Sequence, residues 1–134
     1  MSYISLNKKE LVNLEQSLNR EVLRSNALGA FLATTLVGCN TRKYHGLLVV
    51  PQPQLDNYNH VLLSGLDETI IENKEEFHLG VHMYPEGVFA PRGHKYLREF
   101  TADPMPKLTY RIGNIVLNFI CDFWFYRSMH TSNI

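Results

Sequence analysis

The stretch Asn40-Thr41-Arg42-Lys43-Tyr44-His45-Gly46-Leu47-Leu48-Val49-Val50-Pro51 begins polar and ends apolar. Gly46 to Val50 is a continuous apolar run, short enough for a buried strand, and Pro51 and Pro53 stop it. Asn40 and Thr41 ahead of it favour a turn, because their side chains hydrogen-bond the nearby backbone. A polar turn feeding a short buried strand is a unit of a β fold, and it sets the expectation for the rest of the chain.

Working outward, more short segments of the same kind appear between Gly, Pro and Asn. Phe31 to Val37 is rich in β-branched and apolar residues, and Val61 to Ser64 and Leu66 to Glu72 are further candidate strands. Phe77, Leu79, Val81 and Met83 alternate with His78, Gly80 and His82, the pattern of one strand with a buried face. Leu108 to Ile112 and Ile115 to Leu117 flank Gly113-Asn114, a two-residue hairpin turn. The Pro-bearing stretches 51–53, 85–91 and 104–106 read as loops. At the start, residues 7–14 read as a short helix, with Asn7 as cap, Glu10 at capping-box distance, and Leu11 and Leu14 as its apolar edge. The expected fold is therefore mainly β, a β-sandwich with a short N-terminal helix. At 134 residues, with no repeat or linker, it is expected to be a single domain over 1–134. The aromatic run Phe119 to Tyr126 reads either as a buried strand or as the exposed end of an incomplete domain.

Lys plus Arg and Asp plus Glu are 13 each, so the formal net charge is zero. That balance gives no electrostatic reason to expect nucleic acid or an anionic membrane as partner, and it is compatible with a neutral polymer. It also favours self-association. The N-terminus lacks the apolar run of a secretory signal, and nowhere are there eighteen consecutive apolar residues. Cys39 and Cys121 are far apart and without a CxxC, so no zinc site or disulfide framework is expected, and the location expected is a reducing cytoplasm. No cofactor is implied.

Several residues invite chemistry. His78 and His82 would be joint metal ligands on a helix, but on a strand they stand about 13 Å apart, on one face and out of reach of a common ion. Asp67-Glu68 is an acidic pair, yet adjacent strand residues point to opposite faces, whereas glycoside hydrolysis needs two carboxylates facing each other. Glu72, Glu75 and Glu76 surround Asn73 at a turn and read as solvated surface. Cys39, close to His45, reads as an inert core thiol. No serine lies in a GxSxG elbow and no glycine-rich phosphate cradle is present. The segment 40–46 differs: it packs an amide, a hydroxyl, a guanidinium, a phenol and an imidazole just before a strand. Planar polar groups beside an aromatic face suit sugar hydroxyls and the apolar side of a sugar ring. A network that holds the loop and docks a second domain uses the same residues, so Asn40, Arg42, Tyr44 and His45 stand as substrate-binding or domain-docking candidates.

The run Asn40 to Val49 resembles the signature of the N-terminal domain of bacterial and archaeal glycogen debranching enzymes of the amylo-α-1,6-glucosidase type. Arg20-Glu21, Asn26, Leu28-Gly29, Thr35, Gly38, Leu62-Leu63-Ser64 and Leu66-Asp67-Glu68-Thr69 fall at the family's positions, so the resemblance spans about 18–117. Val22-Leu23 stands where the family commonly has Trp-Leu, and Gly29-Ala30-Phe31 where it has Gly-Gly-Tyr. After Asn118 the family's continuation is not recognisable. The resemblance implies a β-supersandwich, incomplete here, ahead of an (α/α)6 barrel that carries the catalytic carboxylates. It implies no catalytic residue within this chain. The expected roles are docking that barrel or contacting α-glucan such as glycogen; a free-standing glucan-binding or regulatory module and an inactive truncated remnant are the alternatives. A homodimer that covers open strand edges is a further expected partner.

Overall fold

The computed structural model describes residues 4–102 and 105–120. Asn7 opens the first helix, α1 (Lys8–Leu11), as its sequence demands: its Oδ1 accepts from the Lys9 N–H and Glu10 Oε2 accepts from the Asn7 N–H, both at 2.9 Å. The helix does not run to residue 14. Asn13 starts a second one, α2 (Leu14–Leu18), by accepting from the Gln16 N–H at 3.1 Å. Ser17 of α2 is buried and donates to the Leu11 carbonyl at 2.9 Å, clamping the two turns together.

The strands are β1 (Ser5–Asn7), β2 (Glu21–Ser25), β3 (Phe31–Thr35), β4 (Gly46–Gln52), β5 (Tyr58–Leu63), β6 (Thr69–Glu72), β7 (Glu75–His78), β8 (Val81–Tyr84), β9 (Val88–Arg92), β10 (Leu97–Thr101), β11 (Lys107–Ile112) and β12 (Ile115–Ile120). One four-stranded sheet has the order β1-β10-β11-β12 and the other β2-β3-β4-β5, with β6-β7 and β8-β9 as separate hairpins. All the pairings are antiparallel. The architecture is the expected mainly-β, sandwich-like one.

Several boundaries differ from the sequence reading, each for a local reason. β4 continues through Pro51 to Gln52, because β3 pairs it only as far as Val49; beyond that point the missing N–H costs no bond on the β3 side. The strand expected at 61–64 begins earlier, at Tyr58, and the one expected at 66–72 is confined to β6. The alternation over 77–83 is not one strand. It breaks at Leu79-Gly80, where the Leu79 N–H donates to the Glu68 carbonyl at 3.0 Å and the Gly80 carbonyl accepts from Gly93 at 3.1 Å. His78 and His82 therefore belong to different hairpins and share no strand face. Residues 85–91 are not only loop: Glu86 and Gly87, at φ +67° and +74°, make the tight turn that returns the chain into β9. The Gly113-Asn114 hairpin stands as expected, with Ile112 opposite Ile115 and Gly113 at φ +56°. β12 runs on through Phe119 and Ile120; the rest of the aromatic tail, with Cys121, lies outside the described residues.

The core forms where the β1-β10-β11-β12 sheet meets the helices, the segment after β3 and the hairpins. Leu97, Phe100, Tyr110 and Ile112 come from that sheet, Leu11 from α1, Leu36, Val37 and Cys39 from the segment after β3, Leu79 from the break between the hairpins, and Val81 from the start of β8. Val22 of β2 packs on its margin, and Arg24 of the same strand donates to the Ala102 carbonyl at 3.3 Å. The second sheet is thus tied to the first at β2 and at the chain leaving β3. Its β5 end is left as an open edge of that sheet, with the Asn40–His45 loop beside it.

Candidate functional site

The Asn40–His45 loop is organised around His45. The imidazole is 6% exposed, and Nδ1 accepts two backbone N–H groups, from Thr41 at 3.0 Å and Arg42 at 3.2 Å. Two donors on Nδ1 place the proton of the neutral ring on Nε2, which donates to Glu21 Oε1 at 3.2 Å. The His45 N–H closes the turn onto the Arg42 carbonyl at 3.0 Å. Arg42 Nε reaches the same Glu21 oxygen at 2.7 Å from an exposed position. Asn40 works in the same inward sense: Oδ1 accepts from Thr34 Oγ1 at 3.2 Å and Nδ2 donates to the Ser64 carbonyl at 2.7 Å. Three of the four candidates, Asn40, Arg42 and His45, therefore bond to the protein itself and fix the loop between β2, β3 and the end of β5.

Tyr44 is the exception. It is 56% exposed and faces the turn between β4 and β5, where Tyr58 is 73% exposed. Lys43, Tyr44, Asn57, Tyr58 and Asn59 line a shallow depression of about 240 Å³. Asn57, Tyr58 and Asn59 were not among the sequence candidates. Their signal was present as an amide–phenol–amide triplet, the chemistry already noted in 40–44. Glu21, the anchor of the loop, carried no local signal, since its partners lie more than twenty positions away in sequence.

The acidic pair is also accounted for. Asp67 Oδ1 accepts from His82 Nε2 at 2.8 Å. Glu68 is half-buried beside Leu66, Leu79 and Pro106, and burial raises its carboxyl above the usual range, with the neighbouring Asp67 charge adding a smaller push. A carboxyl whose folded-state pKa is raised holds its proton more tightly when folded. Its contribution to stability is full below the unfolded value and is lost as pH rises through the folded one. Glu68→Gln is therefore expected to raise the melting temperature at pH 7, with the gain shrinking as pH falls through the raised folded-state value toward the 4.5 of an ordinary glutamate and gone below it. Thermal melts of both proteins across that range check it; a gain that persists at pH 3.5 contradicts it.

His78 Nδ1 bonds Thr69 Oγ1 at 3.0 Å on its own hairpin. Cys39 is buried, its N–H donates to Thr35 Oγ1 at 3.0 Å, and burial pushes the thiol up, away from the reactive thiolate. Among the described residues no group of three or more His, Cys, Asp or Glu side chains is placed to hold a metal ion. No helix among them is long and apolar enough to cross a membrane.

Comparison with known proteins fits this arrangement. A search of the curated proteins and a search of the solved structures each found no match. A family model described as glycogen debranching enzyme N terminal matches residues 20–121, which takes in both sheets' pairing from β2 onward and the whole Asn40–His45 loop. The match covers most of the chain, and the chain therefore belongs to the glycogen debranching enzyme N-terminal family.

Proposed function

We propose that the chain acts as the non-catalytic N-terminal part of a glycogen-debranching glucosidase and docks the domain that carries the hydrolytic carboxylates. The observation that carries this reading is the open edge at β5. Val61, Leu62 and Leu63 are exposed there, and Leu66 extends the apolar surface just beyond the strand. An exposed apolar edge strand of this length is a site for pairing with further structure. The polar loop beside it is pinned by His45 and Asn40, so it presents a fixed surface to a neighbour.

The carboxylates of the chain support a non-catalytic role. Glycoside hydrolysis takes one carboxylate as acid and another as base or nucleophile across the scissile bond. Asp67 is engaged by His82, and Glu21 is engaged by Arg42 and His45. On this reading the α-1,6 branch hydrolysis of glycogen breakdown belongs to an (α/α)6 domain, in the cytoplasm, and the buried free thiol of Cys39 is compatible with that compartment.

Purified chain is expected to release no glucose from a branched dextrin above a boiled control; release above it overturns the non-catalytic assignment. Mixed with the barrel domain of a family debranching enzyme, the chain is expected to co-elute in size exclusion. Leu62→Asp is expected to weaken that complex by about tenfold or more, as truncation at the centre of an apolar interface does. Equal co-elution of the variant contradicts docking through β5. The same edge fits a second copy of the chain across a two-fold axis, and size exclusion of the chain alone reports that homodimer directly.

A further inference from the structure

We infer that Tyr44 and Tyr58, with Asn57, Asn59 and Lys43, form a surface subsite for a neutral sugar chain, and that the chain it takes is an α-glucan. The site is separate from the docking edge; only the choice of α-glucan among neutral sugars rests on the proposed function.

The composition of the depression selects the ligand. Two tyrosine rings stand in water within one small concavity, flanked by two side-chain amides. An aromatic face covers the C–H side of a pyranose ring, while a phenol O–H and a carboxamide donate to and accept from its hydroxyls. No carboxylate lines the depression, and its one cation, Lys43, has Nζ 5.9 Å from the centre of the Tyr44 ring. A polyanion would call for a cluster of cations, and a charged peptide for a charge pattern; neither is there. At about 240 Å³ the concavity is below the size range of enclosed small-ligand pockets, which suits contact with one stretch of a polymer rather than enclosure of a whole small ligand.

The geometry is set before any ligand arrives. Tyr44 sits one residue before His45, whose ring and N–H are tied to the backbone of Thr41 and Arg42. On the other wall, the N–H groups of Leu55, Asp56 and Asn57 converge on the Gln52 carbonyl at 3.1 to 3.2 Å. Asp56 Oδ1 accepts from the Tyr58 N–H at 3.0 Å, and its carboxylate also bonds His60 Nε2. Both tyrosines are thus carried by hydrogen-bonded turns, and binding a sugar orders little further backbone.

Native gel electrophoresis of the full chain with glycogen, amylose or a soluble β-glucan in the gel tests the inference. Retardation by glycogen and amylose is expected. Tyr44→Ala and Tyr58→Ala are each expected to raise the apparent dissociation constant by about tenfold, the usual loss when a stacked aromatic is removed. Tyr84→Ala, an exposed tyrosine on β8, is expected to bind as the unmodified chain does. Circular dichroism checks that each variant is folded. No retardation by any polysaccharide overturns the site, as does retardation that Tyr44→Ala and Tyr58→Ala leave intact. Retardation by the β-glucan alone, lost in the two variants, overturns the α-glucan assignment and leaves docking through β5 to its own test.

Discussion

Gly93→Ala is expected to leave little folded protein. Gly93 is buried just after β9, and its N–H donates to the Gly80 carbonyl at 3.1 Å. A methyl group added at its Cα would land on the Leu79 carbonyl group. The obstacle is backbone, so no rotamer change relieves it. Leu79 cannot retreat cheaply either: its side chain lies in the core and its N–H is held by Glu68. Relief requires the β8-β9 hairpin to lift away from Leu79, which breaks the Gly93–Gly80 bond and opens the core at Leu79 and Val81. The expected cost is above about 4 kcal/mol, in the range reserved for the most damaging single substitutions and comparable with the whole stability of a small domain. Gly65→Ala is the control, since nothing lies within 4 Å of a Cβ there. Urea titration of both variants decides the matter. A Gly93→Ala midpoint close to that of Gly65→Ala contradicts the close approach.

His45→Ala is expected to destabilise by about 2–4 kcal/mol. The substitution leaves the Thr41 and Arg42 N–H groups without their acceptor at a nearly buried position, and each such orphan costs about 1–3 kcal/mol before any cavity is counted. Arg42→Ala removes the shorter contact to Glu21, at 2.7 Å, yet is expected to cost under about 1 kcal/mol, because the guanidinium is exposed and an exposed ion pair contributes little. The two variants thus separate bond length from burial. Denaturant midpoints give the ranking, and Arg42→Ala proving the more harmful would show that the ion pair, not the imidazole, holds the loop.

What was legible in the sequence was what neighbouring residues decide among themselves. The Asn7–Glu10 capping box, the turn at Asn73 and the hairpin at Gly113-Asn114 each need only a few consecutive residues, and each formed. β2 was not legible because its polarity is inverted at its centre. Leu23 faces out, while Arg24 points inward to the Ala102 carbonyl, a partner 78 positions away. β10 hid for a related reason: Leu97 and Phe100 are both buried, but a bulge between Leu97 and Glu99 breaks the two-residue period. The alternation at 77–83 misled because Phe77, Leu79 and Val81 do all face apolar surroundings, though on two separate hairpins.

The candidate site divides along the same line. Residues 40–45 stood out because they are dense in polar chemistry. Their division into three inward-bonded side chains and one outward tyrosine depended on Glu21, Thr34 and Ser64, none of which is a neighbour in sequence. Tyr58 joined Tyr44 only through the β4–β5 turn. Composition proposed the chemistry, and long-range pairing assigned it to atoms.

The register of β1 on β10, with Ser5 opposite Thr101, has a consequence for how the chain is made. The pairings of the sheet β2-β3-β4-β5 all lie within residues 21–63 and can form while the ribosome is still adding the residues of β10. β1 emerges before that sheet but has no partner until β10 has left the exit tunnel. Until then Leu6 and Leu11 lack the β10 and β11 side chains that cover them, and helices of four and five residues are far too short to persist alone in water. β1, translated ahead of the whole β2-β3-β4-β5 sheet, is therefore paired after it, and the segment from β1 to α2 is open to chaperones or to misassociation throughout that interval.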